Sequence, residues 1–217
     1  MFGRHVIPHL KGLELPAVLP FDGIQIERIT TKFYGAGVEP RALLRDALAE
    51  LGAEELKAFI LSLTMGLRRR EADLLEWASV DLMAGTLQIV PTQYFKPKTQ
   101  ESLSVLPIEP EFLPMFRGWK AKASGPFVIE SERKPKAPDY QWYRAQETFD
   151  SLLAWLRQKE VTTHKPFHAL RKLYGSALAD LHGIHAASSG LRHTDIRTTA
   201  EFYADSRARL TAGLAPF

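Results

Sequence analysis

From residue 40 onward, apolar residues recur every three or four positions, the spacing that lines one face of a helix. Leu43, Leu44, Ala47, Leu48 and Leu51 do so behind Pro40, a good first-turn residue, and Gly52 closes the segment. This spacing predicts a first helix over 40–51. Leu56, Phe59, Ile60 and Leu63 line a second over 54–65, which Gly66 ends, and a third is expected from about Arg69 to Trp77. The period then shortens. After Gly85, residues 86–90 (TLQIV) alternate and are rich in β-branched side chains, and Leu103–Ile108 alternates again. Two or three short antiparallel strands fit this stretch, with a Lys- and Pro-rich connection at Tyr94–Thr99. Further helices are expected over 110–122, 141–159, 168–181, 184–191 and 195–204. A polar, Lys/Pro-rich loop at Ser131–Asp139 precedes the second of these.

The first 39 residues have another texture. Pro8, Pro16 and Pro20, with Gly3, Gly12, Gly23, Gly35 and Gly37, leave no room for a long helix and allow only a short strand at Gly23–Ile29. They read as an N-terminal arm or interdomain linker (1–39). Residues 40–217 read as one domain, mainly α with a small antiparallel β-sheet. The absence of cysteine excludes a disulfide framework, a thiolate zinc site, an iron–sulfur cluster and a cysteine nucleophile. No apolar run reaches the ~20 residues that span a bilayer, and the N-terminus lacks the apolar stretch of a signal peptide. A cytoplasmic protein is expected. Lys and Arg number 28 against 25 Asp and Glu, a net charge of +3. Any polyanion site must therefore arise from local clustering of charge.

Four clusters concentrate residues able to do chemistry. In Gly66-Leu67-Arg68-Arg69-Arg70-Glu71, three arginines begin a helix, where the positive end of the dipole disfavours them. A guanidinium grips two phosphate oxygens well, and Glu71 is placed to orient one of the three. A solvated basic turn is the plain alternative. In Lys96-Pro97-Lys98-Thr99, a lysine between strands can deliver a proton or simply keep an edge soluble. His168 and Arg171, at i and i+3, share a helical face. An imidazole beside a permanent cation stays neutral more readily, which suits accepting a proton, although such pairs also occur as plain surface neighbours. The last cluster runs from Leu191 through Arg192, His193 and Asp195 to Thr199, with Tyr203 beyond it. Thr194 or Asp195 can cap a helix that carries Tyr203 near its end. A tyrosine in that setting is ordinarily core. The histidines 164, 168, 182, 185 and 193 also raise a metal site. Lys165-Pro166 takes His164 off the helix of His168, however, and breaks the i,i+4 geometry.

Together and in this order, the clusters resemble the catalytic domain of the tyrosine recombinases, the phage-integrase family, from about residue 42 to 203. In that resemblance Arg68 of GLRRRE takes the family's first arginine, with Glu71 orienting it. Lys98, with Lys96 as its rival, takes the hairpin lysine. His168 and Arg171 take the HxxR motif, His193 the histidine after it, and Tyr203 the nucleophile. The resemblance implies a tyrosine-recombinase catalytic-domain-like α+β fold. It implies a site-specific recombinase or integrase that cleaves and rejoins DNA through a 3′-phosphotyrosyl intermediate, with no cofactor and no metal. Its implied partners are double-stranded DNA, further protomers in a tetramer on that DNA, and an accessory DNA-bending protein, with no membrane. A nucleoid-associated location follows. Relatives also carry an N-terminal core-binding domain, which this chain reads as lacking. Two other functions share the motif set: type IB topoisomerase-like nicking and closing, and a catalytically idle DNA-binding regulator of a mobile element.

Overall fold

The computed structural model describes residues 38–97, 103–136 and 142–192. Over these, seven α-helices and three strands follow one another. They are α1 (Pro40–Glu50), α2 (Ala53–Met65), α3 (Arg69–Asp73), β1 (Val80–Asp81), β2 (Thr86–Ile89), β3 (Ser104–Pro107), α4 (Leu113–Ala121), α5 (Gln146–Gln158), α6 (Pro166–His182) and α7 (Ile184–Gly190). The expected class, mainly α with a small antiparallel sheet, is what the chain adopts. The arm at 1–39 with its strand at Gly23–Ile29, the helix at 195–204, and Lys98, His193 and Tyr203 lie outside the described residues.

Glu39 starts α1 by accepting the amides of Arg41 and Ala42 at 2.9 and 2.6 Å, which satisfies two donors that a helix start leaves orphaned. Only Leu43 and Ala47 of α1 are buried, the narrow stripe of a helix on the surface of the core. In α2 burial goes nearly all round, and Phe59, Ile60 and Leu61 are fully enclosed. Helices α5 and α6 pack on it. Phe59 meets Trp155 of α5 edge to face with ring centroids 5.7 Å apart, and Phe149 of α5 meets Phe167 of α6 in the same way at 5.3 Å. Gly66 then ends α2 in the left-handed region at φ 62°, and the amides of Gly66 and Leu67 both donate to the Leu61 carbonyl. That turn sets Arg68 at the start of α3.

Helix α3 stops at Asp73 rather than near Trp77, because the backbone after it pairs elsewhere. The Trp77 amide donates to the Pro126 carbonyl at 2.8 Å, the Val128 amide to the Leu75 carbonyl at 2.9 Å, and Glu76 bridges Phe127 antiparallel. The chain thus turns its buried Leu75 and Trp77 against residues 126–128. The sheet has the order β1-β2-β3, all antiparallel. Leu87 lies between Val80 and Leu106, all three buried, whereas Gln88 and Val105 pair on the exposed face. That alternation is the one expected. The two-residue β1 was not anticipated, since so short a strand carries no readable period. Asp81 makes its turn into β2 by accepting the amides of Met83 and Ala84, each at 2.9 Å.

Helix α5 begins at Gln146, five residues later than its apolar pattern suggests. The amides of Arg144 and Ala145 donate instead to the buried carboxylate of Asp73, each at 2.8 Å. The Arg144 guanidinium donates to the carbonyls of Asp73 and Ile129. One carboxylate and one guanidinium therefore lock the end of α3, residues 127–129 and the entry to α5 together. Among the described residues, no helix is long and apolar enough to cross a membrane.

Candidate active site

Three consecutive arginines meet three different environments. Arg68 stands at the N-cap of α3, and its side chain is 40% exposed. Its own amide donates to Glu71 Oε2 at 2.8 Å and its Nη1 to Glu71 Oε1 at 2.6 Å, so Glu71 fixes both backbone and guanidinium. Arg69 turns inward. Its guanidinium carbon lies 3.9 Å from the ring centre of Tyr143 and 4.6 Å from that of Phe149, a cation held between aromatic faces. Arg70 lines a cavity of about 100 Å³ with Arg133, Lys134, Lys136 and the largely exposed Trp142. Arg68 is thus oriented by a carboxylate while its side chain stays open to solvent.

Glu71 itself is buried, and its second oxygen also accepts from Arg192 Nη2 at 2.6 Å. Arg171, expected on the face of α6 beside His168, is fully enclosed. Its two terminal nitrogens donate to the Gly66 and Leu191 carbonyls. It thereby holds the turn that carries Arg68 against the end of α7. The structure thus brings Arg68, Glu71 and Arg171 around the Gly66 turn. Arg192, which the sequence offered no separate reason to single out, joins them.

His168 lies on α6 one turn before Arg171, and the residue as a whole is exposed. Desolvation by the surrounding protein, then the nearby cations Arg171, Lys172, Lys165 and Arg68, push its pKa from 6.5 down to about 4. The imidazole is therefore neutral at pH 7 and able to accept a proton. If His168 is the base, the acid limb of strand cleavage falls near pH 4, and His168→Gln removes that limb. An inflection near 6.5 that His168→Gln abolishes would show the ring to be unperturbed. The same depression makes the folded chain lose stability as pH falls from 6.5 towards 4, because over that range the unfolded histidine binds the proton more readily.

Tyr174, three residues after Arg171 on α6, is committed to packing. Its ring lies against Gly66, where an added Cβ would come within 2.5 Å of its Cδ1, and against Gly190. Burial pushes its phenol up, away from the phenolate a nucleophile needs. His164 lies ahead of Pro166, the first residue of α6, as its lysine–proline neighbours indicated. Lys96 is exposed beside the buried Phe95, which anchors the connection between β2 and β3.

This fold is that of the tyrosine-recombinase catalytic domain. Two solved structures show the likeness. One is the Tn1549 transposon integrase (residues 82–397) in complex with circular intermediate DNA, at a TM-score of 0.54 and 17% identity, covering 79% of this chain and 61% of that one. The other is the XerA recombinase, at a TM-score of 0.56 and 13% identity, covering 79% of this chain and 64% of that one. The chain therefore spans about three fifths of the length of these structures. No family model matches it, and no curated protein matches it in sequence.

Proposed function

We propose that this chain is a site-specific DNA recombinase or integrase that breaks and rejoins strands through a covalent link to Tyr203. The observation that carries the reading is the Gly66 turn, where Glu71 orients a solvent-open Arg68 and Arg171 packs directly behind it. Phosphodiester displacement builds negative charge on the non-bridging oxygens, and fixed guanidiniums offset it without reorganising at the moment of reaction. The Tyr203 oxygen attacks phosphorus as the bond from phosphorus to the 5′-oxygen breaks. His168 accepts the phenolic proton, and Lys98, or Lys96 beside it, protonates the departing 5′-oxygen. Arg68 faces the phosphate, and His193 adds a hydrogen bond to it. Arg171, buried and held by the Gly66 and Leu191 carbonyls, supplies positive charge from behind. The phosphotyrosyl bond conserves the energy of the broken one, so a 5′-hydroxyl of a second strand can reverse the step. The similarity of the fold to an integrase in complex with DNA supports double-stranded DNA as the substrate. The cavity at Arg70, Arg133, Lys134 and Lys136 adds local positive charge for a phosphate backbone.

The test is incubation with a nicked duplex carrying a candidate attachment site. Wild-type protein is expected to form a covalent adduct that persists in excess chelator, and Tyr203→Phe to bind the same DNA and form none. A nucleotide-bearing peptide that lacks Tyr203, or activity lost to chelator and restored by a divalent cation, overturns the mechanism. Transfer of the adduct to a 5′-hydroxyl on a second duplex separates recombination from topoisomerase-like resealing.

A further inference from the structure

Arg192 is buried, yet it is not a core residue by chemistry. Its backbone sits in the left-handed region at φ 53°, where a side chain is disfavoured and glycine is the usual occupant. Only 5% of it is exposed, and its Nε and Nη1 are buried without a partner among the described residues. Its Nη2, by contrast, donates to Glu71 Oε2 at 2.6 Å and to the Gly66 carbonyl at 3.3 Å. Those two acceptors are the ones that hold the other site arginines. Glu71 accepts from Arg68, and the Gly66 carbonyl accepts from Arg171. Arg171 in turn donates to the carbonyl of Leu191, the residue just before Arg192. Three guanidiniums are thus linked through one carboxylate and one carbonyl, and Arg192 is the member that touches both.

We infer that Arg192 is a positioning residue for strand cleavage, acting through Glu71 and the Gly66 carbonyl to hold Arg68 and Arg171 in register with each other. The inference rests on the recombinase reading given above and adds to it a residue that the motif pattern leaves without a role. The physical logic is geometric. Arg68 engages both Glu71 oxygens, through its Nη1 and its own amide, and Arg192, 121 residues beyond Glu71, adds a bond to Oε2 that fixes the carboxylate against a second segment of the chain. Arg192 is also the residue immediately before His193, the histidine assigned to the phosphate. A strained, desolvated arginine is costly to keep, and the three-arginine arrangement is what it provides in return.

The test compares full-length wild type with Arg192→Gly, Arg192→Lys, Glu71→Gln and the Arg192→Gly/Glu71→Gln double variant. Glycine suits φ 53°, so Arg192→Gly removes the guanidinium while keeping the backbone at ease. Adduct formation is measured at saturating nicked duplex, at a temperature where circular dichroism shows every variant folded. Arg192→Gly is expected to slow adduct formation by about 10²-fold, the cost of roughly an ångström of misplacement, with DNA affinity unchanged. Arg192→Lys is expected to recover part of that loss through Glu71 alone. The double variant is expected to be no slower than the worse single one, because both changes break one linkage. A wild-type rate in Arg192→Gly overturns the inference, as do losses that track DNA affinity or penalties that multiply in the double variant. If wild type itself forms no adduct, the recombinase reading fails. The linkage is then decided by thermal unfolding of the same four variants: melting shifts that add fully show that Arg192 and Glu71 act independently, and shifts that do not add keep the bridge.

Discussion

Arg68→Ala is expected to slow covalent adduct formation by ~10²–10³-fold, the usual cost of removing one preorganised donor from developing negative charge. Its effect on stability should stay within ~1 kcal/mol, because the pair it makes with Glu71 is partly exposed and such pairs contribute little. Glu71 also keeps Arg192 as a partner when Arg68 is removed, so no buried carboxylate is left uncompensated. Arg69→Ala is the matching control with the opposite signature. It should cleave at close to the wild-type rate and melt lower, since Arg69 is held between Tyr143 and Phe149. Single-turnover rates beside melting curves separate the two. An Arg69→Ala protein that is stable but inactive would move the phosphate contact one residue along GLRRRE. Arg171→Ala is a poorer probe of chemistry, because it takes the guanidinium donor from the buried Leu191 carbonyl, leaves the Gly66 carbonyl with the 3.3 Å bond from Arg192, and loosens the Gly66 turn together with the charge.

Asp73→Ala is expected to destabilise the fold by about 2–6 kcal/mol, because two buried amides lose their acceptor at a cost of roughly 1–3 kcal/mol each. That is a large share of the ~5–15 kcal/mol that holds a domain of ordinary stability together. The carboxylate is 2% exposed and accepts the amides of Arg144 and Ala145, and Arg144 is itself 5% exposed. Alanine leaves two amides without acceptors and removes one of the carboxylates, with Glu54 and Glu130, whose charge favours the Arg144 guanidinium. Urea denaturation should show a lower midpoint with an unchanged slope, meaning less stability with the same surface exposed on unfolding. A midpoint within error of wild type would mean that water or a local shift replaces the carboxylate. Asp73 lies on the same short helix as Arg68 and Glu71, so this variant also tests how far the site depends on the anchoring of α3.

Much of this architecture is local and therefore visible in the amino-acid order. Helix α1 starts at Pro40 and ends before Gly52. The apolar residues of α2 predict its span to within a residue at its start. Leu87, Ile89 and Leu106 alternate as a half-buried sheet requires, and α6 begins two residues ahead of the predicted helix at 168–181. A helix or strand of several residues repeats its period within a dozen positions, and a cap or a glycine stop acts over three or four, so neighbours in the chain carry the signal. The order and types of Arg68, Glu71, His168 and Arg171 were legible for the same reason, each motif being confined to a few consecutive residues.

What neighbours in the chain could not convey were partnerships between distant segments. Helix α3 ends early because residues 75–77 pair with 126–128, and α5 begins late because Asp73 captures two amides 71 and 72 residues away. Which of the three consecutive arginines turns inward depended on where Tyr143 and Phe149 came to rest. Arg171 reads as a surface partner of His168 and is instead enclosed, because α7 folds back over α6 and offers it the Leu191 carbonyl. Arg192 carries no local sign at all. Its acceptors lie 121 and 126 residues earlier, and a buried charge finds such partners only once the packing of α2, α6 and α7 has excluded the water that would otherwise solvate it.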